Sequence, residues 1–166
     1  LYVTQMRFKG VYINYTLLDE LKPPIEHKVE DLENRLNKTA GKEINWNSSQ
    51  QIVEFLLSQD VILVERTPTG NYTVKESVMV ELAKIYPICQ TILDYREAKK
   101  ELEFYVSYLE KTTQEDPFLH PKLKLAGTVT GRLSCSSPNL QQVKRTGPIK
   151  TIFTSRWEGG LYGLVD

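Results

Sequence analysis

Between Tyr15 and Lys38 the apolar residues Leu18, Leu21, Ile25, Val29, Leu32 and Leu36 recur at steps of three and four. That spacing puts them on one face of an amphipathic helix of roughly six turns. A stripe of this length has to be buried against other elements, so it commits the first part of the chain to a helical layer. Pro23-Pro24 falls inside it. A proline lacks the N–H and crowds the carbonyl four residues back, so the pair either kinks the helix or marks its true start. Ala40-Gly41 closes it.

Further helices follow. In Asn45-Trp46-Asn47-Ser48-Ser49-Gln50-Gln51, Ser48 and Gln51 have capping-box spacing, and Ile52, Val53, Leu56 and Leu57 supply an apolar face. A helix start with free N–H groups also suits a phosphate. Residues 61–73 predict an apolar strand-like piece running into a turn at Thr67-Pro68-Thr69-Gly70-Asn71. A helix is expected over Lys75–Ile85. Another starts at Pro87 and reaches Leu109, with Ile88, Ile92, Leu102, Val106 and Leu109 as its buried stripe. Arg96 and Lys100, four apart, share a face of that helix, with Lys99 beside them.

The ends of the chain read differently. Residues 1–14 carry a helix end broken at Gly10 and a β-like Val11-Tyr12-Ile13. Residues 112–117 form a polar turn, and residues 119–125 alternate apolar and basic positions as a half-buried strand would. Residues 126–142 combine two glycines with many hydroxyls and a Pro-Asn turn. Small polar residues bond their own backbone, which makes a poor helix and a poor strand. The expectation is a shaped loop that grips something polar and extended, with Arg132 at its centre beside Gly131. Lys144, Arg145 and Lys150 follow closely. Such a cluster reads as a solvated loop or as a phosphate contact.

Lys+Arg and Asp+Glu are both 21, so no global field advertises a nucleic-acid partner, and local basic patches have to meet one. No apolar run is long enough to cross a membrane, and no signal-peptide pattern is present. Cys89, Cys135, His27 and His120 show no disulfide or zinc spacing. A reduced, intracellular protein is expected.

Thr128-Val129-Thr130-Gly131-Arg132-Leu133-Ser134-Cys135-Ser136-Ser137-Pro138-Asn139-Leu140-Gln141 resembles the Thr-x-Thr-Gly-Arg-Leu-Ser-Ser-x-x-Pro-Asn-Leu-Gln signature of family A DNA polymerases, the bacterial DNA polymerase I and phage type. Leu161-Tyr162-Gly163-Leu164-Val165-Asp166 resembles the strand that ends in that family's first catalytic aspartate. Asn45-Trp46-Asn47-Ser48 and Gln51 are similar to its Asn-x-Asn-Ser-x-x-Gln motif, and Asp94-Tyr95-Arg96-Glu97 with Lys100 to its long thumb helix. The chain departs from relatives at Glu103-Phe104, at Leu123-Lys124-Leu125, where relatives carry Phe-Asn-Gln, and at Gln142-Val143-Lys144.

The resemblance implies an α+β fold, a helical thumb subdomain plus part of the palm β-sheet of a right-hand polymerase. Residues 1–14 and 114–166 would be palm and 15–113 thumb. The partners implied are primer–template DNA and an incoming dNTP. Two Mg²⁺ ions would clamp the attacking and leaving oxygens of nucleotidyl transfer, and hard cations take oxygen ligands. Asp166 would be the catalytic carboxylate and metal ligand. Arg132 would reach the minor groove at the primer terminus, with Gln141 and Gln142 as neighbouring contacts. Asn45, Asn47, Ser48, Arg96, Lys100, Arg145 and Lys150 would meet the DNA backbone.

One carboxylate cannot hold two metals, so the fingers and the rest of the palm would come from elsewhere, for instance from a second polypeptide. This portion alone is expected to be inactive. The rival reading is a non-catalytic duplex-DNA-binding module derived from a polymerase thumb. A helical interaction domain leaves the loop at 128–141 unexplained.

Overall fold

The computed structural model describes residues 2–125, 127–143, 147–157 and 160. Among the described residues five helices and four short strands occur in the order α1 (Tyr2–Lys9), β1 (Val11–Tyr12), α2 (Tyr15–Ala40), α3 (Ser49–Ser58), α4 (Glu76–Ala83), α5 (Pro87–Leu109), β2 (Phe118–Leu119), β3 (Lys122–Lys124) and β4 (Ser134–Ser136). Single 3-10 turns follow at Leu140–Gln142 and Pro148–Ile152. The chain forms two compact units, Leu1–Pro24 with Glu101–Asp166, and Ile25–Lys100. It passes between them inside α2 and inside α5.

In the unit Ile25–Lys100, α2 buries Ile25, Val29, Leu32 and Leu36 at the expected spacing. The helix runs unbroken through Pro23 and Pro24, so the pair neither starts nor ends it. The loop after α2 is fixed by Trp46, which is fully buried. Its indole Nε1 donates to Asn37 Oδ1 at 2.8 Å, and the same oxygen accepts from the Ile44 N–H at 3.3 Å. Phe55 of α3 meets the indole edge-on, with ring centroids 5.2 Å apart.

Residues 61–65 alternate as a strand would, with Val61 and Leu63 buried and Ile62 and Val64 exposed. Among the described residues they gain no strand partner, and the bridge from Arg66 to Tyr72 closes the turn at 67–71. The α5 stripe also differs from expectation. Of the five residues predicted to be buried, Ile92 alone is fully so, and Cys89, Tyr95, Ala98, Tyr105 and Tyr108 carry the rest of the buried face. Tyrosines bury large apolar bodies, and an apolar pattern built on aliphatic residues passes over them.

In the other unit, Gly10 ends α1 with φ +68°. A Cβ there would lie 2.8 Å from His120 Cε1, so the close approach of these segments also favours glycine. β1 and β2 pair antiparallel, Val11 with Leu119 and Tyr12 with Phe118. The strand expected over 119–125 is split in two, because His120-Pro121 interrupts it and proline cannot donate to a ladder. Beyond the break, β3 pairs with β4, matching Lys122 to Ser136, Leu123 to Cys135 and Lys124 to Ser134. Ile13, Leu18, Tyr105, Tyr108, Leu119, Ile149 and Ile152 are buried in this unit.

Candidate nucleic-acid interface

The stretch at 126–142 is less loop-like than its composition suggests. Ser134–Ser136 forms β4, because pairing with β3 satisfies the backbone and buries Cys135. Low strand propensity yields here to a cross-strand partner. What remains is a tight turn at Thr128–Gly131, in which the Gly131 N–H donates to the Thr128 carbonyl at 3.2 Å. Gly131 has φ +71°, a conformation that a side chain would strain. Thr128 Oγ1 donates to the Arg132 carbonyl at 3.0 Å, clamping the arginine's backbone from the other side.

The far end of the motif closes on the same loop. Asn139 Oδ1 accepts from the Gln141 N–H at 3.2 Å and starts the 3-10 turn. Gln141 Nε2 reaches back to the Leu133 carbonyl at 3.1 Å. Cys135 Sγ–H donates to the Pro138 carbonyl at 3.5 Å beneath it. Arg132 is exposed, and its guanidinium has no partner among the described residues. A fixed backbone therefore presents one free, bidentate donor. Gln142 is exposed.

A second set of predicted residues lies at the start of α3. Ser48 caps the helix, its Oγ accepting from the Gln51 N–H at 3.4 Å. The return arm of a capping box is diverted: Gln51 Oε1 accepts from the Asn45 N–H at 2.8 Å, and the Ser48 N–H goes to the Asn45 carbonyl at 2.9 Å. Asn45 Oδ1 accepts from the Asn47 N–H at 3.0 Å. Asn45 and Asn47 are exposed, and the first-turn N–H groups of Ser49 and Gln50 have no helical partner. The segment is thus a self-bonded cap with outward amides and a positive helix end.

The remaining basic residues separate. Arg96 is half-buried and donates through Nη1 to the Val74 carbonyl at 2.7 Å, tying α5 to the segment before α4. Burial pushes its pKa down. Lys100, one turn on, is exposed. Lys150 sits half-exposed in the second 3-10 turn. Arg145 and Asp166 lie outside the described residues. No group of three His, Cys, Asp or Glu side chains that could hold a metal ion occurs among the described residues.

One feature escapes a reading based on total charge. From Pro117 to Trp157 the chain has no Asp or Glu, while Lys122, Lys124, Arg132, Lys150 and Arg156 fall within it. The first acidic residue of the chain is Asp19. The balanced total of 21 and 21 averages this basic region against acid-rich helices. Counting charge by segment finds it.

The fold matches that of the POL domain of Pol1 from M. smegmatis, solved in complex with DNA primer-template and dNTP, with a TM-score of 0.82 over 92% of this chain and 28% of that one, at 24% identity. The fold is therefore that of part of a polymerase domain, α+β as expected.

The sequence profile of DNA polymerase family A matches residues 15–162. The thermostable DNA polymerase I of Thermus filiformis is 32% identical over 152 residues, covering 90% of this chain and 18% of that protein. DNA polymerase I of Streptococcus pneumoniae is 31% identical over 163 residues, 94% of this chain and 18% of the relative. That of Chloroflexus aurantiacus is 30% identical over 155 residues, 90% and 16% respectively. The chain belongs to DNA polymerase family A. It spans less than a fifth of the length of these relatives. Among the described residues no helix is long and apolar enough to cross a membrane.

Proposed function

We propose that this chain is the part of a DNA-directed DNA polymerase that holds the primer–template duplex and aligns the primer terminus. The helical unit Ile25–Lys100 corresponds in this reading to most of the thumb. The unit that contains β1–β4 corresponds to the first part of the palm. Asn45, Asn47 and Ser48 offer amides, a hydroxyl and a helix N-terminus to backbone phosphates, and Lys100, Arg145 and Lys150 offer charge. Arg96 combines a structural bond to Val74 with donors left over for DNA.

The observation that carries the reading is the contrast inside the Arg132 loop. Thr128, Asn139 and Gln141 spend hydrogen bonds on the loop itself, while the exposed Arg132 guanidinium has no partner among the described residues. In the minor groove every correct base pair offers purine N3 and pyrimidine O2 acceptors in nearly the same place. An arginine fixed at its backbone can donate to those acceptors without reading sequence. It thereby senses pair geometry at the terminus and holds the primer end for attack.

Nucleotidyl transfer joins the primer 3′-hydroxyl to the α-phosphate of a dNTP and releases pyrophosphate. Two Mg²⁺ ions, when bound, would polarise the phosphate and stabilise the attacking and leaving oxygens. Asp166 is assigned as one carboxylate ligand, and the other ligands and the triphosphate-binding groups come from outside these 166 residues. A second polypeptide or further sequence of the same chain would supply them. Bacterial cytoplasm or nucleoid, or a phage-infected host, is the compartment this reading assigns.

Primer extension and duplex affinity measured side by side for Arg132→Ala test it. Extension is expected to fall by much more than affinity. Equal losses in both would reduce Arg132 to a generic phosphate contact.

A further inference from the structure

We propose that the outward face of the β3–β4 hairpin is a second, sequence-independent contact for a nucleic-acid backbone, carried by Lys122 and Lys124. The inference rests on the duplex-binding reading and adds to it a surface outside the Arg132 loop.

Successive residues of a strand face opposite sides. In β3 the middle residue, Leu123, is partly buried opposite the buried Cys135, while Lys122 and Lys124 are both exposed. The same outward face carries Ser136 opposite Lys122 and Ser134 opposite Lys124. Ser134 Oγ bonds the Lys124 carbonyl at 3.5 Å, and Ser136 is exposed. The face is therefore two ammonium groups with a hydroxyl beside them, on a paired and fixed ribbon.

Neither lysine has an ion pair among the described residues, and the chain holds no acid between Pro117 and Trp157. Helix α1 packs against β3; it ends on Arg7 and Lys9 and has no acid either. His120 Nδ1 lies 2.9 Å from the Arg7 carbonyl and joins the two segments. The local field is thus positive on both elements, and its complement is a polyanion.

Two residues of strand separate the lysines by about 6.7 Å, and a nucleic-acid strand carries one phosphate per about 3.4 Å of axis. Each ammonium can therefore meet a different phosphate. Lysine is a point charge on a flexible stem, which suits phosphate tracking rather than base reading.

The test is a fluorescence-anisotropy titration of the purified protein with labelled duplexes of two unrelated sequences, repeated over a range of NaCl concentrations. For the double variant Lys122→Gln/Lys124→Gln, the slope of log affinity against log salt is expected to lose about 1.8, for two phosphates at 0.9 each. The loss should be the same for both duplexes. Lys122→Arg/Lys124→Arg should keep the wild-type slope. A glutamine variant with an unchanged slope overturns this inference alone. A wild-type protein that binds no duplex overturns the reading beneath it. Unchanged duplex slopes with weakened binding of polyglutamate would assign the face to an acidic protein and also overturn the proposal.

Discussion

Gln141 Nε2 donates to the Leu133 carbonyl at 3.1 Å, so the end of the motif holds down the backbone that precedes its strand and follows its arginine. Arg132 is presented by this bond on one side and by Thr128 Oγ1, 3.0 Å from the Arg132 carbonyl, on the other. The free side chain depends on a tied backbone.

Gln141→Glu replaces that donor with a carboxylate facing a carbonyl. A lost neutral hydrogen bond is worth about 1 kcal/mol. Primer extension by the complete enzyme should fall about 5-fold, with duplex affinity changed less. Steady-state extension on a matched primer checks it; unaltered extension would mean that the loop holds its shape without Gln141.

Asn37 serves two donors at once, Trp46 Nε1 and the Ile44 N–H. Asn37→Ala strands both beside a fully buried indole. Each unsatisfied donor costs about 1–3 kcal/mol, so urea unfolding should show a loss of about 2–6 kcal/mol. Asn37→Asp keeps the acceptor and should lose less. Equal losses in the two variants would show that volume, not the shared oxygen, matters at this position.

Ser48→Ala removes the side-chain cap of α3 and should cost about 1 kcal/mol in thermal or urea unfolding. Ser48→Asp restores the acceptor and should recover most of it. If both variants match wild type, the bond from Gln51 to Asn45 is the real closure of this helix start.

Tyr105 and Tyr108 are fully buried, and neither hydroxyl has a hydrogen-bond partner among the described residues. Burial raises both pKa values, with Glu101 adding to the effect at Tyr105 and Cys135 at Tyr108. The folded state therefore keeps its phenolic protons after the unfolded chain begins to lose them near the ordinary value of about 10. Stability is full below that pH and falls as pH rises above it, by up to about 1.4 kcal/mol per unit for each tyrosine. Tyr105→Phe and Tyr108→Phe should each flatten the alkaline fall and stabilise the neutral protein by about 1 kcal/mol. Urea unfolding at pH 8 and pH 11 checks both effects, and an alkaline slope identical in wild type and variants would contradict them.

Helix α2 could be read from its aliphatic spacing because Leu18 to Leu36 report burial directly. The ends of α1, α2 and α5 were equally legible at Gly10, Gly41 and Pro87, where backbone chemistry decides. The buried face of α5 was not, since Tyr95, Tyr105 and Tyr108 are amphipathic and Ala98 is small. Strands β3 and β4 are short, and they are set by pairing between residues ten or more apart, which local propensity cannot see.

The site divides in the same way. Arg132 and the Asn45–Ser48 cap stood out by motif, but their hydrogen-bond partners were hidden. Gln51 serves Asn45 rather than Ser48, and Arg96 is half committed to Val74. Lys122 and Lys124 were visible as an alternating pair. Their charge gained meaning from the hairpin that turns both outward and from the acid-free sequence around them.

The most direct measurement of the central claim is a two-by-two comparison in the complete enzyme. Wild type and Arg132→Ala are each assayed for single-nucleotide extension of a matched primer ending in guanine or in 3-deazaguanine, which lacks the minor-groove N3 acceptor. The account predicts that wild type loses on the order of 10-fold or more on the altered primer, as for a charged hydrogen bond of about 1.5–3 kcal/mol. Arg132→Ala should be slow on both primers by about the same factor. Losses that add independently, with the altered primer further slowing Arg132→Ala, would contradict a contact between Arg132 and the primer terminus.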